Sequence, residues 1–191
     1  MCNLYQLEKS VDAVRRLFDE LQIPLTFPEG IPNFQPRNVR ITERAPIVRW
    51  NGGSAELVER RWSWPAPTGK PVFNMRSDGR EFAKDRCLVI ADGFYEYTAP
   101  ADPSQKRKDC WLFRPPEGEI AIAGIIRSNP EIGEAFTLLT VPPGPDIEPY
   151  HHRGVALLTP PQWRAWLDGS AKCVETLGPS VAGSLSVSQK S

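Results

Sequence analysis

Several things are scarce in this sequence, and each scarcity narrows what the chain can be. No apolar run approaches the roughly 18–20 residues that a bilayer span requires, so the chain does not read as a transmembrane protein. No basic segment followed by an apolar stretch reads as a secretory signal. Excess charge is absent: 23 basic and 23 acidic residues cancel. A strongly basic balance is the usual footprint of a nucleic-acid partner, so any such contact would need a local basic patch. Histidine is limited to the adjacent pair His151 and His152. The cysteines Cys2, Cys87, Cys110 and Cys173 form no C-x-x-C pair. Neither a metal site nor a disulfide framework is supported, and the expectation is reduced thiols in a cytoplasmic protein with no metal and no cofactor. A Gly-rich phosphate loop, a G-x-S-x-G elbow and an H-E-x-x-H helix are all missing, which removes several large enzyme classes.

What is present is a hydrophobic fraction of 40% in 191 residues, enough for one domain with a real core. Proline is abundant at 20 residues, which implies many short elements joined by loops. Ser10 can cap a helix from Val11 to about Gln22, with Val14, Leu17, Phe18 and Leu21 on one face and Pro24 ending it. The segment from Pro24 to Pro36 reads as an extended loop. Pro46–Trp50 and Ala55–Trp62 flank Asn51-Gly52-Gly53-Ser54, a hairpin signature. Further strands are expected at Cys87–Ala91, Phe94–Thr98, Cys110–Phe113, Ile120–Arg127, Phe136–Val141 and Val155–Leu158. Pro160–Leu167 reads as a second helix, capped by Thr159 and followed by Gly169. Residues 1–177 form the expected domain, and 178–191 a loosely held Gly/Ser-rich tail. Strands and helices do not alternate regularly, so the class is α+β. No heptad or long apolar stripe is visible, which points to a monomer.

Four polar clusters could carry chemistry. Cys2 follows Met1, and removal of Met1 would leave a thiol and a free α-amine on neighbouring atoms. Their reference pKa values of about 8.5 and 7.7–8.0 leave a useful fraction of each nucleophilic near neutrality. Such a pair can capture an aldehyde as a Schiff base closed to a thiazolidine; it can equally serve an amidase, with the amine as base, or be a frayed end. Asn74 and Arg76 lie in Phe73–Asp78, where an amide can orient a substrate and a guanidinium can grip phosphate, although an ordinary turn would look the same. Glu96, between Tyr95 and Tyr97, suits a general acid/base if desolvated, or an outward-facing position on an edge strand. His151, beside His152 and Arg153, suits proton transfer better than metal ligation. Cys87 and Cys110, in apolar runs, read as core packing.

Read in order, these clusters resemble the SRAP family, the SOS response-associated peptidase domain of abasic-site processing proteins. The resemblance rests on Met1-Cys2 followed by Tyr5, Asn74-x-Arg76, Arg86-Cys87-Leu88 running into Gly93-Phe94-Tyr95-Glu96, and His151-x-Arg153. Weaker matches are Asn38, Ala45-Pro46 and Arg61-Trp62. It implies a single α+β domain built on a curved, mainly antiparallel β-structure with a few short helices. It also implies binding of single-stranded DNA in the DNA-damage response, and capture of the abasic-site aldehyde as a thiazolidine at Cys2. A peptidase activity, reflected in the family name, and a lyase activity belong to the same expectation. Cys2 would be the nucleophile, Asn74 would orient it, and Glu96 and His151 would move protons. Arg76, Arg153 and Trp62 would contact phosphates or bases. The chain departs from the family at Asn3-Leu4, where Gly-Arg is usual, at Gly154-Val155, where Met-Pro is frequent, and at Tyr97, where Trp is usual. A peptidase or autoprocessing amidase using Cys2, and a noncatalytic single-stranded DNA-binding module, are the competing readings.

Overall fold

Hydrophobic strands that bury both faces need neighbours on all sides, and β9 (Arg86–Ile90) is such a strand: every residue in it is buried. The computed structural model describes residues 2–102 and 104–190. In chain order the elements before β9 are β1 (Leu4–Leu7), α1 (Val11–Glu20), β2 (Leu25–Thr26), β3 (Arg37–Arg40), β4 (Arg44–Asn51), β5 (Ser54–Trp62), β6 (Trp64–Pro65), β7 (Pro71–Val72) and β8 (Asn74–Arg76). After it come β10 (Gly93–Thr98), β11 (Asp109–Arg114), β12 (Ala121–Asn129), β13 (Gly133–Val141), β14 (Gly154–Val155), β15 (Leu157–Leu158), α2 (Pro160–Leu167), α3 (Cys173–Thr176) and β16 (Ser186–Lys190).

Strands β13, β12, β9, β4 and β5 follow one another as antiparallel neighbours. The end of β5 then pairs parallel with β13, Arg61 opposite Ala135 and Trp62 opposite Phe136, so the ring closes into a small barrel. Closure removes the free edges that an open sheet would leave. The antiparallel sheet β16–β11–β10–β1–β3 packs with this barrel around one core. The result is a single α+β domain, mostly antiparallel, with few and short helices.

Local chemistry explains the pieces. Gly52 and Gly53 turn the β4–β5 hairpin, with Asn51 paired to Ser54 and Gly52 at a φ of 64° that L side chains rarely adopt. At Gly124 a Cβ would stand 2.8 Å from the Thr137 carbonyl oxygen and 2.9 Å from Cys87 Sγ, so only glycine lets β12 pass there. Ser10 Oγ accepts from the Ala13 N–H at the start of α1, which buries Val14 and Phe18 and stops at Glu20, two residues short of the expected end near Gln22. Pro160 begins α2, and the Gln162 side chain accepts from the Thr159 N–H at 2.9 Å. Trp166 of α2 donates to the Cys87 carbonyl of β9 at 2.9 Å, fastening helix to barrel. Arg86 lies beneath that indole, 4.6 Å from its ring, and donates to the Phe82, Trp166 and Ala171 carbonyls and to Glu81.

Several expectations change. Pro24–Pro36, expected as a loop, contains β2, which pairs parallel with β5. The segment from 178 onward is not loose: β16 pairs with β11, Leu185 is buried, and Asp146 accepts from the Gly183 and Leu185 N–H groups at 3.0 Å each. Its composition misled because an edge strand needs no apolar alternation to form main-chain hydrogen bonds. Val155–Leu158 divides into β14, paired with β13, and β15, paired with β12. Cys110 is half-buried rather than core. Among the described residues no helix is long and apolar enough to cross a membrane.

Trp62 is the third of the expected DNA contacts and sits in the core instead. Its ring is 0% exposed, stacks on Phe136 at 6.4 Å, lies 5.2 Å from Tyr5, and donates through Nε1 to the Phe73 carbonyl at 2.9 Å. A ring covered on both faces has none to offer a base, so the expected stacking role is corrected to a packing role. Trp62→Ala should therefore lower the unfolding free energy by about 3–5 kcal/mol, read from the urea midpoint.

Candidate functional site

Strand β8 is short, but its parallel pairing with β13 fixes its direction, Asn74 opposite Leu138 and Arg76 opposite Thr140. Residues two apart on a strand share a face, so Asn74 and Arg76 point the same way. Asn74 Nδ2 donates to the Cys2 carbonyl oxygen at 2.7 Å, tying the start of the chain to the barrel. Its Oδ1 is buried and accepts no hydrogen bond among the described residues. Cys2 is fully buried, and Sγ donates to the Leu4 carbonyl at 3.3 Å. Burial first, and the Glu96 carboxylate second, push its thiol far above the ordinary cysteine range. Met1, whose removal the sequence reading invokes, lies outside the described residues.

Glu96 belongs to β10, held between β1 and β11 and paired with Trp111. Simple alternation allowed an outward-facing glutamate. The structure buries it to 2% exposure, because both faces of this part of β10 are covered. Desolvation raises its carboxyl from the ordinary 4.5 to about 7, opposed in part by the N-terminal positive charge, then by His152 and by a hydrogen bond from the Cys2 backbone N–H. A carboxyl half-ionised at neutral pH, in hydrogen-bond contact with the nitrogen of Cys2, can both give and take a proton there.

His151 Nδ1 lies 3.0 Å from both the Arg153 backbone nitrogen and its carbonyl oxygen, which fixes the ring. Burial lowers its pKa, favouring the neutral imidazole that can accept a proton. His152 stacks on it at 4.4 Å. His151 and Glu96 line one cleft of about 310 Å³ together with Asn3, Tyr97 and Lys108. The structure thus brings Cys2, Asn74, Glu96 and His151 into one neighbourhood from β8, β10, the chain start and the loop before β14.

The expected phosphate ligands separate. Arg76 is exposed, on the face of β8 that carries Asn74. Arg153 is buried and committed inside the protein: NH1 and NH2 pair with the Asp78 carboxylate, and NH2 donates to the Thr140 carbonyl at 2.8 Å. That pairing holds the Asp78 carboxyl below its usual range. Arg153 therefore positions His151 and the β8–β13 seam, and a phosphate could reach it only by displacing Asp78. Asn3 and Lys108 carry no distinguishing sequence signal, since exposed Lys108 sits in a polar loop with two other cations. Only the pairing of β10 with β11 brings it to the cleft. Among the described residues no group of three or more His, Cys, Asp or Glu could hold a metal ion.

The raised Glu96 value is also a stability statement. An acid whose pKa is 4.5 unfolded and about 7 folded costs the native state nothing below pH 4.5, a growing amount between pH 4.5 and 7, and a constant amount above. Glu96→Gln removes that cost. It should match the parent near pH 4.5 and exceed its unfolding free energy by about 3 kcal/mol at pH 8.5, measured by urea titration at both pH values.

Comparison with known proteins agrees with this architecture. Solved structures with the same fold include a protein from Bordetella bronchiseptica, 21% identical with a TM-score of 0.73 over 100% of both chains. A phage-related protein from the same organism is 18% identical with a TM-score of 0.73, covering 99% of this chain and 94% of its own. A protein from Bacteroides thetaiotaomicron is 18% identical with a TM-score of 0.73, covering 100% and 92% respectively. No curated protein matches the sequence. The SOS response associated peptidase (SRAP) family profile matches residues 1–188, essentially the whole length, and the chain belongs to the SRAP family.

Proposed function

We propose that this protein binds single-stranded DNA and captures abasic sites covalently through Cys2. The observation that carries the reading is the contact between the Cys2 nitrogen and a buried carboxyl titrating near 7. With Met1 removed, that nitrogen is the α-amine. It adds to the C1′ aldehyde of the ring-opened sugar, and Glu96 protonates the departing hydroxyl as water leaves, giving a Schiff base. The Cys2 thiol then adds to the same carbon, its proton passing to the newly formed carboxylate, and closes the thiazolidine. The net change is protein plus DNA minus one water. Asn74 holds the Cys2 carbonyl in place, and neutral His151 takes or returns the proton at the sugar oxygen during ring opening. Arg76 is the exposed cation nearest in register to Asn74 and suits a phosphate contact.

The state of the thiol supports aldehyde capture over the peptidase reading. A cysteine peptidase needs a thiolate, whereas burial here keeps the thiol protonated. Thiazolidine closure needs only a thiol poised beside an iminium and a base to accept its proton. A noncatalytic DNA-binding module would require neither the buried carboxyl nor its contact with Cys2.

Intact mass after incubation with a single-stranded oligonucleotide carrying one abasic site should show protein lacking Met1 plus DNA less one water. Cys2→Ala should give no adduct. Persistence of the same adduct in that variant would sink the reading. Glu96→Gln should slow adduct formation by about 10²-fold or more. In the parent protein the rate should show an ionisation limb that is absent from Glu96→Gln; a pH profile identical in both proteins would remove Glu96 from the mechanism.

A further inference from the structure

A second concavity, of about 840 Å³, lies between α1, the connection from β11 to β12, the start of α2 and the segment following α3. Leu17, Leu21, Ile120, Leu157 and Leu177 contribute apolar surface to it. Its lining also includes Val174 at 83% exposure and Val181 at 73%, two of the three exposed large hydrophobic side chains among the described residues. Isolated exposed valines mean little, but two on the wall of one apolar groove mark a surface that water does not favour.

The charges of this groove have one sign. Its lining holds Glu20, Glu117, Glu119 and Glu175 and no lysine, arginine or histidine. Glu119 is paired with Lys9 at 2.6 Å, whereas Glu20, Glu117 and Glu175 have no ion pair among the described residues. Phosphate is repelled by such a rim, so the groove is no extension of a DNA surface. It shares no lining residue with the cleft that holds Glu96 and His151. Lys108 of the cleft and Pro115 of the groove sit at opposite ends of β11, roughly 20 Å apart at strand rise. The two sites can be filled together.

We infer that this groove docks an extended segment of a partner protein in which apolar side chains are interleaved with lysine or arginine. Apolar side chains fill the leucine-lined floor, and the cations meet the rim glutamates, which supplies register and association rate. A second copy of this chain fits poorly: its exposed basic run Gln105–Lys108 carries no apolar residue to enter the floor, and in Arg80–Lys84 the one large apolar side chain, Phe82, already packs against the core.

The experiment pans a randomised peptide library, displayed on phage, against the full chain and against Val174→Asp/Val181→Asp. Both valines are solvent-exposed, so the variant keeps its fold, which far-UV circular dichroism and urea midpoint verify. Peptides recovered on the parent and lost on the variant should interleave apolar residues with Lys or Arg. A synthetic copy should bind by fluorescence anisotropy, weaken about tenfold in Glu20→Lys/Glu117→Lys, weaken with added salt, and be unaffected by saturating single-stranded oligonucleotide. The inference is overturned if no peptide depends on the valines, if the selected peptides lack basic residues, or if the oligonucleotide displaces them. Concentration-dependent dimerisation abolished by the valine variant would also overturn it, assigning the groove to a second copy. None of these readouts involves the abasic-site reaction, so failure here leaves the reading of Cys2 and Glu96 untouched.

Discussion

The parallel pairing of β5 with β13 is the constraint on which the rest of this molecule depends. It converts a curved sheet into a closed ring, and it does so where Trp62 can lie flat on Phe136 and donate to the Phe73 carbonyl. That hydrogen bond sets where the chain stands as it enters β8. Strand β8 then continues along β13, delivering Asn74 to the Cys2 carbonyl and Arg76 to the surface beside it. On the same seam, Arg153 bonds the Thr140 carbonyl of β13 and Asp78 just beyond β8. Arg153 also anchors the His151 ring through its own backbone. One closure therefore places an amide and an imidazole that lie 77 positions apart in sequence, 151 minus 74.

Burial does the electrostatic work at this site. A glutamate in water would be ionised at neutral pH and a poor acid. Covering β10 on both faces removes that hydration and brings the carboxyl to about 7, the range in which the proposed acid and base roles are both open to it. The same burial keeps the Cys2 thiol protonated. A protonated thiol beside a carboxyl near its midpoint is the combination that the proposed aldehyde capture needs. The cost of holding an acid there falls on stability, a familiar trade where function needs a perturbed group.

Much of the local structure was legible along the chain. Ser10, the Gly52-Gly53 turn, the Pro160 helix start and the apolar run Cys87–Ile90 announce their elements, because capping, φ restriction and hydrophobic patterning act over a few residues. The residues Cys2, Asn74, Glu96 and His151 were legible as an ordered set. Each alone had an equally plausible structural role. Trp62 and Arg153 were misread for one reason: a tryptophan and an arginine look the same in sequence whether they face DNA or face Phe136 and Asp78. The segment after Gly178 was misread because strand pairing at a sheet edge draws on the main chain, which composition does not record.

The amino-acid sequence by itself determined the chemical repertoire: one cysteine at position 2, a glutamate among tyrosines, a lone histidine pair and an amide, with no metal-binding or phosphate-loop motif beside them. It also determined the α+β class, through hydrophobic periods too short and too irregular for alternating βαβ units. Tertiary structure alone decided that Glu96 is buried rather than solvated, that Arg153 is spent on Asp78 while Arg76 is exposed, and that Lys108 reaches the cleft. The reason is that solvation and ion pairing depend on which strands become neighbours. Neighbourhood in a closed barrel is set by contacts between residues far apart in the chain.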